Sequence, residues 1–151
     1  MAIQSRLDID VTPFFLSGST VYKDSETILQ DGGRVDPLVT YTLMAQISAN
    51  KKWVPLTNVA ATNGTAIAKG IYVGDDIPAA DLVDADVTNV PIVVGGALAT
   101  FADDKLTIEN SLTFDTVVAS GTIAEHRVED DLNRIGLYAE STVDASSYEN
   151  A

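Results

Sequence analysis

From Pro37 onward the apolar residues come in short runs, most of them bounded by Gly, Pro, Asn or Asp before a helix of ordinary length can form. Such a chain has to build its core mainly from strands. Residues 39–47 read as a strand, Asn50-Lys51 as a turn and residues 52–56 as the return strand. Asn63-Gly64 is a second turn signal. Residues 67–73 are a third strand, with Gly70 inside it as a bulge or a site of close contact. Residues 90–94 and 97–101 flank Gly95-Gly96, which fits a tight hairpin needing positive φ at both central positions; Pro91 then sits where no ladder donor is required.

Two stretches depart from this pattern. The acidic, Ala-rich residues 75–89 allow one helical turn at 79–83, just after Pro78. Near the C-terminus, Thr122-Ile123-Ala124-Glu125 has capping-box spacing. Val128, Leu132 and Ile135 then recur on one helical face, and Gly136 follows as the residue that ends the helix. Leu137-Tyr138-Ala139 reads as a last short strand. The polar residues 146–151 read as a flexible tail.

Residues 1–36 look least able to fold alone. Asp8-Ile9-Asp10-Val11-Thr12 alternates like a strand until Pro13 interrupts it, and Phe14-Phe15-Leu16 is followed by Gly18 and Gly32-Gly33. This predicts an extended N-terminal arm with irregular structure. Its candidate contacts to a partner are Ile9, Val11, Phe14, Phe15 and Leu16, because a strand-like arm can add to a partner's sheet edge. Trp53, on a strand with Val54 and Leu56, is a core residue or an interface anchor. The expected organisation is an arm at 1–36, a β-rich domain at 37–145 and the tail at 146–151. The fold class is mainly β, with one short C-terminal helix.

Charge limits the partners. Nine Lys/Arg face 22 Asp/Glu, for a net charge of −13, which repels nucleic acid and anionic membranes. Residues 1–52 carry five bases against six acids, so nearly all the excess lies beyond them. The absence of cysteine excludes disulfides and thiolate chemistry. The start, Met1 to Arg6, lacks an apolar run of signal-peptide length, so synthesis in the cytoplasm is expected.

No set of residues points to catalysis, a metal or another cofactor. His126 is the single histidine, placed on the expected helix among acids. Asp75-Asp76, Asp103-Asp104 and Asp130-Asp131 are adjacent pairs, and neighbours on a strand point to opposite faces. Asp84-Ala85-Asp86-Val87-Thr88 opens like a calcium loop, but Asn89 stands where that loop needs Gly and Gly95 where it needs Glu. Gly95-Gly96 precedes no helix, so it is no phosphate cradle.

The order of these signals resembles that of tailed-bacteriophage head decoration proteins of the lambda D type. The hairpin of residues 39–47 and Lys52-Trp53-Val54-Pro55-Leu56 is similar to that family's opening hairpin. The polar loop at 60–65, Ala68-Lys69-Gly70-Ile71, the run Val93-Val94-Gly95-Gly96-Ala97-Leu98-Ala99 and Leu132-Asn133-Arg134-Ile135-Gly136-Leu137 follow in the family's order, over residues 38–140. The long arm and residues 107–121 depart from the pattern. The resemblance implies a compact β-barrel or tulip-like domain that forms a homotrimer on the outer surface of the virion head, bound to the major capsid protein at three-fold and quasi-three-fold sites. There it clamps capsid subunits and catalyses nothing. The alternative is another virion surface β module, such as a tail or fibre component or a glycan-binding domain. An acid hydrolase would need two carboxylates facing each other across a cleft.

Overall fold

A computed structural model describes residues 13–57, 61–120 and 123–141. The chain is mainly β. The long strand β1 (Phe15–Ile28) runs antiparallel to β5 (Val87–Ala102), from Phe15 opposite Phe101 to Ile28 opposite Val87. Mid-strand, β5 also pairs with β4 (Gly70–Tyr72), through Ile71–Val93 and Tyr72–Ile92. Farther along, β8 (Leu137–Glu140) replaces β4 as its neighbour and lies parallel to it. β4 pairs with β2 (Leu43–Gln46), and β2 with β3 (Trp53–Pro55). β3 meets β1 at Ile28–Trp53, which closes the sheet into an uneven barrel-like ring. β6 (Val117–Ser120) and β7 (Ile123–Arg127) form a separate ribbon, and the two helices are α1 (Ala79–Asp84) and α2 (Val128–Arg134). No helix among the described residues is long and apolar enough to cross a membrane.

The central strands are covered on both faces, which is why they are apolar throughout rather than alternating. Leu43, Ala45, Ile71 and Val93 join Phe14, Phe101, Val128, Leu132 and Leu137 in one buried cluster. Their neighbours Met44, Tyr72 and Ile92 point the other way and pack with Ile28, Leu38, Trp53 and Leu82. Gly70 is the close-contact site its sequence position indicates: a Cβ there would lie 2.8 Å from Ile92 Cγ2 and 2.9 Å from the Val93 carbonyl oxygen.

The β2–β3 turn forms where expected, with Lys51 at φ 61° and the Asn50 side chain accepting from the Lys52 N–H. Strand β2 is shorter than residues 39–47, because Tyr41 at φ 65° turns the chain just before it. The helical turn after Pro78 and the final strand also form.

Three expectations are corrected. Residues 15–28 are a strand of the main sheet and not part of an irregular arm, so the folded domain reaches back to Phe14. Gly95-Gly96 makes no hairpin; both lie inside the continuous 16-residue strand β5. Their missing side chains admit the α2–β8 turn: the Gly96 N–H donates to Ile135 O at 2.9 Å, and the Ala99 N–H to Gly136 O at 3.0 Å. The C-terminal helix starts at Val128 and uses no capping side chain. Ile123–Arg127 pairs with β6 instead, and the first helical N–H groups, of Val128 and Glu129, donate to the carbonyls of Thr116 and Phe114. The turn at 113–116 thus takes the place of the expected capping box. Residues 146–151 lie outside the described residues.

Candidate functional site

Strand β1 carries the surface best suited to binding another protein. One of its edges pairs with β5 along nearly its whole length; on the other, it pairs with β3 only at Ile28. Among the described residues, the rest of that edge is open, and an open edge presents backbone donors and acceptors to an incoming strand. Residues 15–22 bear no charge in a protein of net charge −13. Native edge strands are usually blunted by charge and bulges. Here charge begins only at Lys23, and the blunting comes from register shifts against β5.

One of those shifts shapes the apolar surface. Between the pairs Ser19–Ala97 and Ser17–Thr100, β5 has one residue more than β1. Leu98 sits in this bulge at φ 53°, a conformation costing a branched side chain roughly 1–2 kcal/mol, and is 74% exposed. Gly18, at φ 78°, passes close beneath it: a Cβ there would stand 2.6 Å from Ala99 Cα. Val21 and Tyr22 on β1 are each 60% exposed. Phe15, Thr20, Tyr22, Tyr41, Val73, Pro91 and Val93 line a groove of about 310 Å³ that has no Asp, Glu, Lys, Arg or His in its lining. A strained leucine held in water on β5, and two exposed apolar residues farther along β1, suit a surface made to be covered.

The expected contact residues divide. Ile9 and Val11 lie outside the described residues. Phe15 and Leu16 are half-buried on β1, and Phe15 lines the groove. Phe14 is not a surface contact: it is buried, its ring stacked on Tyr41 at 4.0 Å and near Phe101 at 5.5 Å. Trp53 is likewise a core residue and offers no surface anchor; its indole N–H donates to Glu26 Oε1 at 3.0 Å, tying β3 to β1. Val21, Tyr22 and Leu98 are not among the contacts expected from sequence. The first two stand in plain view within an uncharged run, whereas Leu98 reads as part of a hairpin arm.

The acids serve local structure. Asp76 accepts from the Thr40 N–H at 2.8 Å. Asp86 accepts from Lys52 Nζ at 2.6 Å and from the Gln30 N–H at 2.8 Å, and these bonds, Lys52 first, hold its carboxyl below the usual range. Asp84 ends α1 and Val87 begins β5, so the calcium-like stretch bridges two elements. Arg34 forms a two-pronged pair with Glu109, at 2.7 and 2.5 Å, that secures the loop after β1. His126 is not on the helix: it lies on β7 with its side chain only 7% exposed, against Asp131. Among the described residues no group of three or more His, Cys, Asp or Glu could hold a metal ion. No protein-family model matches the chain, and no curated protein matches it significantly.

Proposed function

We propose that this protein is a structural head-decoration protein of a tailed phage, binding the major capsid protein on the outside of the expanded head as a homotrimer. One observation carries the protein-binding part of this reading: the open β1 edge, with Val21 and Tyr22 exposed on that strand, Leu98 exposed on β5, and an uncharged groove lined in part by Tyr22. The order of motifs along residues 38–140 supports the capsid as the partner. The high negative charge suits an outer surface close to packaged or released DNA.

Covering each of the three exposed apolar side chains contributes about 1.5–3 kcal/mol, and each backbone bond to β1 roughly 0.5–1.5 kcal/mol. One such contact is weakened by the cost of ordering the partner. Three on one trimer gain from high effective concentration. Binding that favours the expanded lattice then stabilises it by mass action.

The double variant Tyr22→Ser, Leu98→Ser tests the surface. Both residues are exposed, so the urea midpoint is expected to stay within about 0.5 kcal/mol of the wild type per site. Co-sedimentation with undecorated expanded heads of the source virus should fall at least tenfold. Wild-type protein that fails to sediment would refute decoration itself. A double variant that binds as well as the wild type would move the contact off β1.

A further inference from the structure

We propose that His126 and Asp131 form a pH-sensitive clamp between the 61–69 segment and the β7–α2 unit, one that slackens as rising pH removes the imidazole proton. His126 Nε2 lies 3.1 Å from the Ala66 carbonyl oxygen and 3.3 Å from Asp131 Oδ2. The Ala68 N–H donates to that same Oδ2 at 3.1 Å. Two side chains on β7 and α2 thus hold the backbone of one short segment at two points. Ala66 O can only accept, so Nε2 carries a proton and shares it between two acceptors.

The Asp131 side chain is 1% exposed, and its Oδ1 is buried without a hydrogen-bond partner. Arg134 Nη1 is 3.6 Å from that oxygen, on a side chain 69% exposed. Burial pushes the Asp131 carboxyl above its usual range. The Ala68 N–H and the charges of His126 and Arg134 work against that rise, and Asp130 adds to it. Glu125 and Arg127 from β7 and Asp130 from α2 line the recess beside His126 with Val117 of β6. Within 61–69 the only charged residue is Lys69.

The direction follows from linkage. A carboxyl raised in the fold stabilises it fully below its unfolded value, and that contribution is lost as the pH climbs through the folded value. Above that point the buried carboxylate needs a cation. Imidazolium supplies one in contact for as long as His126 is protonated. Beyond that titration Asp131 faces a neutral imidazole, one amide and the exposed Arg134. Rising pH therefore loosens the clamp twice, as Asp131 ionises in its buried site and as His126 loses its charge.

The test is amide hydrogen exchange at Ala68 in the full chain from pH 5 to 8.5, with the His126 ring resonances followed over the same range. Protection at Ala68, corrected for intrinsic exchange, is expected to fall about tenfold, the equivalent of one pKa unit of coupling between charges in contact, with the midpoint of the ring titration. Asp131→Asn keeps an acceptor for Ala68, and His126→Gln keeps an N–H donor; each should flatten the profile. Flat wild-type protection, or a wild-type slope retained in Asp131→Asn, would overturn the clamp. If either variant fails to fold, the wild-type titration alone decides.

Discussion

Deleting residues 1–36 is expected to unfold the protein and not merely to free it of an arm. The deletion removes β1, and with it the nine residue pairs to β5 and the closure against Trp53. Phe14 and Ile28 leave the two buried clusters, at about 2–5 kcal/mol each when large apolar side chains are lost from a core. The Trp53 indole loses Glu26, and Glu109 loses Arg34. Together these exceed about 10 kcal/mol, comparable to the whole stability of an ordinary domain. Circular dichroism and thermal melting of the 37–151 fragment check this; a native spectrum with a cooperative melt would refute it. A second deletion, of residues 1–12 only, leaves every described contact in place. Loss of head binding in this shorter deletion, with its melt unchanged, would assign the contact to the stretch containing Ile9 and Val11.

Gly136→Ala is expected to cost about 3–5 kcal/mol. At φ 85° an alanine pays roughly 1–2 kcal/mol in backbone strain. Its Cβ would also run into the Gly96 carbonyl, where the α2–β8 turn packs on β5 with no side chain between them. Relieving that clash separates the strands and weakens the Gly96 N–H to Ile135 O and Ala99 N–H to Gly136 O bonds, at about 0.5–1.5 kcal/mol each. Leu137 and Leu132, buried on either side of this turn, lose packing as it moves. The urea midpoint should drop with an unchanged slope. Gly32→Ala is the matched control: nothing lies within 4 Å of its added Cβ, and a change within about 0.5 kcal/mol is expected. Equal effects at the two positions would show that the α2–β8 turn is not close-packed on β5.

What the sequence determined by itself was the local chemistry of single positions. The turn at Asn50-Lys51, the start of α1 after Pro78, the crowding at Gly70 and the end of α2 at Gly136 were legible. Each depends on a backbone angle, a missing N–H or a missing side chain belonging to one residue. The mainly-β class was legible for the same reason, since apolar runs too short for helices recur between turn residues. The candidate binding surface was only half legible: the near-neutral N-terminal third was visible, but the exposure of Val21 and Tyr22 on an open strand edge was not. Tertiary structure decided the rest. Residues 15–28 became a strand because β5 lies ready to pair with them, Ser17 and Thr100 meeting from 83 residues apart. Gly95-Gly96 stayed extended because β1 pairs along that stretch and the α2–β8 turn needs the space. Residues 123–127 became a strand because β6 pairs with them. A local preference is worth at most about 1 kcal/mol per residue, whereas a paired and buried strand gathers several bonds and side chains at once. Partners distant in sequence therefore outweighed the local signals at these three places.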